Sequence, residues 1–194
     1  MLYLVRHGQT TANAARVVQD QRDPELTEVG VRQAATLVSV LPAAARVVSS
    51  PLRRARVTAA ALDRPVEVDD RWIEIDFGEL EYRPVAEIRE SVWPKWREDP
   101  EWVPAGGESL GDVARRVGPA CDALAALAVE GDVIVVAHVT PIKLAVAWAL
   151  GVGPEVAARM TVDLASITTV EVRPDRLPVL RSFNDRAHVA RGEG

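Results

Sequence analysis

The chain has 194 residues, 48% of them hydrophobic and 26% charged, with a net charge of −5 and a pI near 5.3. That length suits one domain with a substantial core, and the acidic balance excludes the basic footprint of a nucleic-acid-binding protein. The single cysteine excludes an internal disulfide, and no apolar run approaches the roughly 18–20 residues that span a bilayer; with no signal peptide expected, a cytoplasmic protein without a membrane partner is the expectation.

Leu2-Tyr3-Leu4-Val5 reads as a buried strand, and it runs directly into Arg6-His7-Gly8-Gln9-Thr10. A histidine at such a strand end is held rigidly yet stays within reach of a ligand. Arg6 beside it offers a planar, permanently charged fork suited to phosphate oxygens. Thr10 and Asn13 add polar groups that contact a ligand or cap a turn. Thr27 and Glu28 then open a helix, with Ala34, Leu37, Val38 and Leu41 as its apolar stripe. A second strand passes through Val47-Val48. Ser50 followed by Pro51 predicts a helix start, which places Arg54 in the first turn where it can meet an anion. Arg53 and Arg56 are expected on the surface.

Residues 79–109 break the pattern. They hold Pro84, Pro94, Pro100 and Pro104 together with Trp93, Trp96 and Trp102, and read as an insert over the carboxyl edge of the sheet. Four basic residues (Arg83, Arg89, Lys95, Arg97) stand against eight acidic ones, a net of −4, which is expected to disfavour substrates carrying several phosphates. Ser109 begins a long helix that buries Cys121 and that Gly118-Pro119 should kink or split. Val133 to Ala137 forms another buried, β-branched strand ending in His138. Thr140-Pro141 repeats the serine–proline device, which makes Thr140 a candidate phosphate ligand, and Gly151 closes that helix. His7 and His138 thus both stand at strand carboxyl ends, where open α/β sheets bind ligands. Ser166–Val172 and Leu177–Phe183 read as short strands. Ala187 to Gly194 reads as a loose tail with an exposed His188. The alternation predicts an α/β layered fold, one domain over 1–194, with a largely parallel central sheet flanked by helices on both faces.

Several segments combine into a larger pattern: Arg6-His7-Gly8-x-Thr10-x-x-Asn13; Leu26-Thr27-x-x-Gly30-x-x-Gln33-Ala34; Ser49-Ser50-Pro51-Leu52-x-Arg54-Ala55; Glu74-x-x-Phe77-Gly78; and Pro104-Ala105-Gly106-Gly107-Glu108-Ser109. In this order, from about residue 2 to about residue 150, they resemble the histidine phosphatase (phosphoglycerate mutase-like) superfamily and its phosphatase branch. The resemblance implies a phosphoglycerate mutase-like fold, with His7 as the nucleophile that takes the phosphoryl group, Arg6 and Arg54 as phosphate clamps, and Glu74 as proton donor. The run His138-Val139-Thr140-Pro141-Ile142-Lys143 departs from the common His-Gly-Gly. It is similar to α-ribazole-phosphatase-like acid phosphatase domains, including those fused to ribonuclease H domains. Asp20 and Tyr82 stand where the family often has glycine.

A phosphate monoester repels nucleophiles, so a site must neutralise its charge, align the attacking atom and protonate the leaving oxygen. Neutral His7 can attack; Arg6, Arg54 and a protonated His138 can neutralise; Glu74 can protonate the leaving alkoxide and then deprotonate water, with Glu79 and Glu81 as nearby rivals. An anionic neighbourhood or partial burial is expected to keep Glu74 protonated for the first step. No metal or other cofactor is required by this scheme, and the partner is a small phosphorylated metabolite: α-ribazole 5′-phosphate, a phosphoglycerate or its glycosylated form, or a sugar phosphate. The expected activity is metal-independent phosphomonoester hydrolysis. The alternatives are a cofactor-dependent phosphoglycerate mutase, disfavoured by a short acidic insert, and a non-catalytic phospho-ligand-binding pseudoenzyme.

Overall fold

The computed structural model describes residues 1–19 and 21–192. Asp20 therefore lies outside the described residues, as does the end of the expected tail, Glu193-Gly194. The strands are β1 (Leu2–Arg6), β2 (Arg46–Ser49), β3 (Val66–Val68), β4 (Val133–Ala137), β5 (Ile167–Arg173) and β6 (Arg176–Asp185). They form one sheet in the order β3-β2-β4-β1-β5-β6. β3, β2, β4 and β1 are parallel, and β5 and β6 add an antiparallel edge. β3 was not foreseen: Val66-Glu67-Val68 is a short, largely exposed run with little apolar signal.

Successive strand side chains point to opposite faces, and both faces are covered. Leu2, Leu4, Val48, Val133 and Val135 pack with α6 (Leu110–Glu130) and α7 (Val139–Leu150). Val5, Val47, Ile134 and Val136 pack with Leu37 and with Ala55 and Ala59 of α3 (Arg53–Ala60). The layered architecture read from the sequence is the one observed. Cys121 is buried in the α6 face. No helix among the described residues is long and apolar enough to cross a membrane.

Local capping rules worked unevenly. Thr27 caps α2 (Glu28–Thr36) and accepts from Gly30 N, as expected, but α2 gives way to a 3-10 turn at Leu37–Ser39, which turns Val38 outward to 49% exposure. Ser109 and Asp112 form a capping box at the start of α6. Pro119 lies inside α6 without splitting it: the helix runs unbroken for 21 residues. The Ser50-Pro51 start is corrected by two residues. The cap of α3 is Leu52, and Ser50 Oγ instead accepts from Leu52 N at 3.3 Å. Likewise the cap of α7 is His138, and Thr140 lies inside the first turn. Pro141 there removes an N–H that has no helical acceptor in any case. Gly151 ends α7 in the left-handed region at φ 65. Finally, the expected loose tail contains α8 (Ala187–Gly192), and His188 is 7% exposed with Nε2 donating to Ala165 O at 2.9 Å, not solvated.

Candidate active site

β1 and β4 are adjacent and parallel, with Arg6 opposite Ala137. His7 and His138 therefore leave neighbouring strands at one level. His7 N donates to Ala137 O at 3.1 Å, and the two imidazole centroids are 5.1 Å apart. β2 flanks β4 on the other side and delivers Ser50 and, after it, Arg54.

The segment after His7 is braced by Thr58 of α3 and by residues of the second motif. Gly8 N donates to Thr58 Oγ1 at 3.0 Å and Gln9 N to Gln33 Oε1 at 2.9 Å. A methyl group on Gly30 would meet Gln9 O at 2.1 Å, so only glycine lets α2 lie this close. The fourth and fifth motifs brace Glu74 in the same way. Asp76 N donates to Glu108 Oε2 at 3.0 Å, and Gly78, at φ 55, sits where a methyl would meet Ala105 O at 2.2 Å. Arg116 ties this together, with Nη1 donating to Arg71 O and Ile73 O, each at 2.7 Å, and Nη2 to Glu108 and to Glu74 O. Sequence reasoning missed Arg116; it is a positioning residue for the Glu74 segment.

The protonation of His7 follows from its contacts. Nδ1 lies 2.7 Å from Gly8 O, and a carbonyl only accepts, so Nδ1 carries the proton. Nε2 is left with its lone pair. Burial, and then the charges of Arg54 and Arg6, hold the imidazole well below its ordinary value, so it is neutral near pH 7. His138 is also neutral. Its Nδ1 accepts from Arg54 Nε at 3.2 Å, so its Nε2 carries the proton and donates to Ser50 Oγ at 2.7 Å. Burial and the same arginines push it down as well. The sequence reading let His138 add charge if it were protonated beside the anion; the guanidinium donating to its ring opposes that protonation. Ser50 was expected only as a helix cap, and it fixes this tautomer.

Arg54 is fully buried beneath the histidines and is ion-paired with Asp23 Oδ1 at 3.5 Å. Arg6 is half-buried, donates from Nη1 to Val162 O at 2.7 Å, and has a buried Nε without a partner. Burial brings its guanidinium down to about 10.

Glu74 is 5% exposed and meets the start of α7: Oε1 accepts from Ile75 N at 2.9 Å and Thr140 N at 3.1 Å, and Oε2 from Val139 N at 3.1 Å. The backbone donors expected of a glycine after His138 are thus present in Val139 and Thr140. The anionic neighbours expected beside Glu74 are not found among the described residues; Arg6 and Lys143 are its charged neighbours. Glu79 is exposed, and Glu81 pairs with Arg22 at 2.8 Å.

These groups border a cavity of about 500 Å³. Arg6, His7, Asn13, Glu74 and Thr140 line it, whereas Thr10, Arg54 and His138 do not. Thr10 is buried as the cap of α1 (Thr11–Ala14), in a reciprocal box with Asn13. Glu74 is the one carboxylate on the wall among the described residues. The insert forms the opposite side through α4 (Val85–Ser91) and α5 (Trp93–Glu98), where it was expected. Of its aromatic residues only Trp93 faces the cavity. Trp96 is fully buried, with Nε1 donating to Trp102 O at 2.9 Å, so it is packing. Tyr82 lies off the wall beside Arg22, at φ 62, the left-handed backbone that a glycine adopts without strain.

The comparisons with known proteins agree with this geometry. A bifunctional protein of Mycobacterium tuberculosis is 39% identical over 198 residues, covering 97% of this chain and 54% of that protein. The chain thus spans about half the length of the first curated relatives it matches. The structure is similar to mycobacterial glucosyl-3-phosphoglycerate phosphatase in complex with VO3, at TM-score 0.83 and 33% identity, covering 95% of this chain and 98% of that one. It is also similar to a phosphoserine phosphatase mutant of Entamoeba histolytica in complex with phosphoserine, at TM-score 0.85 and 27% identity, covering 96% and 98%. The histidine phosphatase superfamily (branch 1) model matches residues 2–186, which include the paired strand-end histidines and both arginines. By that match the chain belongs to the histidine phosphatase superfamily.

Proposed function

We propose that the chain is a metal-independent phosphoric monoester hydrolase of the histidine acid phosphatase type, acting on a small cytoplasmic phosphorylated metabolite. The observation that carries this reading is the His7 tautomer: a neutral imidazole with its unprotonated Nε2 at a cavity wall shared with Arg6 and Glu74. In the first step Nε2 attacks phosphorus, the P–O bond to the leaving group breaks, and Glu74, carrying a proton once the anionic substrate is bound, gives that proton to the departing oxygen. Water then attacks phosphohistidine, Glu74 takes the water proton, and phosphate leaves. Arg6, Asn13 and the Thr140 side chain bind the phosphoryl oxygens from the wall, the Thr140 N–H being held by Glu74. Arg54 and His138 support them from beneath His7. Similarity to phosphatases of small phosphorylated metabolites supports the substrate class.

Phosphate release from a panel of metabolite monophosphates, with and without EDTA, tests the reading. Release unchanged by EDTA is expected, because the arginines neutralise the charge. Loss of release in EDTA that a divalent ion restores would overturn the metal-free scheme. Transfer to an acceptor without net release would mark a mutase, and silence on every ester a pseudoenzyme.

A further inference from the structure

Lys143 has no role in the chemistry above. It is the one charged residue of α7, in a helix otherwise made of Val139-Thr140-Pro141-Ile142 and Leu144 to Leu150. It is 4% exposed, lines the cavity, and rests with Nζ 4.0 Å from the centroid of the Trp93 ring. It makes no hydrogen bond or ion pair among the described residues, and Glu74 attracts it only from beyond ion-pair distance. An ammonium taken out of water in this way is costly unless an anion or a set of acceptors meets it. The indole face offsets only part of that cost.

The insert adds to the same wall. Its composition is acidic, yet its charged residues on the cavity are Arg89 and Arg97. Neither has an ion-pair partner among the described residues, whereas Arg83 and Arg115 nearby are paired with Glu87 and Glu101. The fixed charges of the cavity are therefore four cations, Arg6, Arg89, Arg97 and Lys143, against Glu74 alone. The expectation that the net −4 of the insert faces the substrate is corrected by this segregation: like-charged acids lie elsewhere on the insert, and two cations look in. The insert charge therefore no longer disfavours a mutase.

We propose that Lys143, with Arg89 and Arg97, forms a second anion subsite, so that the preferred substrate is a short phosphate monoester whose alcohol part carries its own carboxylate or phosphate. This rests on the phosphatase reading and extends it to the leaving group. Val139 and Lys143 are four residues apart on α7, about 6 Å along its axis, so the second anion sits about that much farther out than the phosphoryl group. A chain of a few carbon atoms spans such a gap. A neutral alcohol leaves the buried ammonium unmet, and an anionic one supplies a charge-assisted hydrogen bond.

The test compares n-propyl phosphate, O-phospho-3-hydroxypropanoate and propane-1,3-diol bisphosphate as substrates, scored as ratios of kcat/KM to that of n-propyl phosphate. A ratio of about 10–100 is expected for at least one anionic ester. Which one leads assigns the second group as carboxylate or phosphate. In Lys143→Met, and separately in the Arg89→Ala/Arg97→Ala double variant, the ratio should fall toward one; a ratio within one preparation is insensitive to partial loss of folded enzyme. Lys143→Arg should restore part of it. Ratios near one in the wild type, with n-propyl phosphate turned over, would overturn the subsite and leave the phosphatase reading standing. A wild-type preference that both variants keep would overturn it too. No release from any ester would overturn the phosphatase reading and the subsite with it.

Discussion

His7→Ala is expected to lower turnover by about 10⁴-fold or more, because it removes the nucleophile and not only a contact to the transition state. The ring is buried, but its one hydrogen bond goes to the adjacent Gly8 carbonyl, so the strand pairing of β1 does not depend on it. The variant should therefore fold. Alkaline quenching of the wild type during turnover should trap a phosphoenzyme that acid then hydrolyses, and the variant should trap none. A variant that keeps near-normal turnover would remove His7 from the chemistry. The wild-type pH profile gives an independent check. His7 is held well below its ordinary value, so its protonation should not reduce kcat/KM between pH 7.5 and about 6.5, the value of a free imidazole. An acid limb centred on that free value would contradict the buried, arginine-flanked geometry.

Glu74→Gln should cost about 10²–10⁴-fold with alkyl phosphates and far less with p-nitrophenyl phosphate, whose leaving group departs without a proton. The structure adds a second, separable effect. Both carboxylate oxygens accept from backbone donors, and an amide would turn an NH2 toward one of Ile75, Thr140 or Val139. A donor facing a donor there should lower stability by about 1–3 kcal/mol, read by thermal or urea unfolding. Equal losses on alkyl and aryl esters would take the acid role from Glu74. Glu79 and Glu81 are no longer rivals, since neither reaches the cavity.

The groups that strands deliver were legible in the sequence. An apolar, β-branched run followed by histidine has one reading when it occurs twice, and parallel pairing then brings His7 and His138 together. The glycine motifs were legible as resemblance but not as physics. Only the close approaches at Gly30 and Gly78 show that they hold the backbone of the site and carry no chemistry. What misled was averaging. The net charge of residues 79–109 says nothing about which side chains look inward, and Arg89 and Arg97 do. Serine–proline and threonine–proline pairs predicted caps, but hydrogen bonds to His138 and Glu74 claimed Ser50 and Thr140 instead. The clearest unread signal was Lys143. A lone charge in the most apolar helix is either paired or waiting for a partner, and its period on α7 puts it one turn above the helix start.

Two neutral imidazoles locked inside the protein make unfolding a proton-uptake reaction on the acid side. In the folded chain His7 and His138 are both pushed well below the free imidazole value, while in the unfolded chain each titrates near 6.5. Below that pH the unfolded chain binds more protons than the folded one, so stability falls as pH falls; above it the two states bind equally and the term vanishes. Each imidazole contributes a slope of about 1.4 kcal/mol per pH unit, so the pair contributes about 2.7. Urea midpoints measured from pH 7.5 to 5 should stay level and then drop below about 6.5, and His138→Gln should flatten that drop by about a third to a half, since the buried His188 is pushed down as well. The nucleophile stays unprotonated in acid, yet the same burial sets the pH at which the chain that holds it lets go.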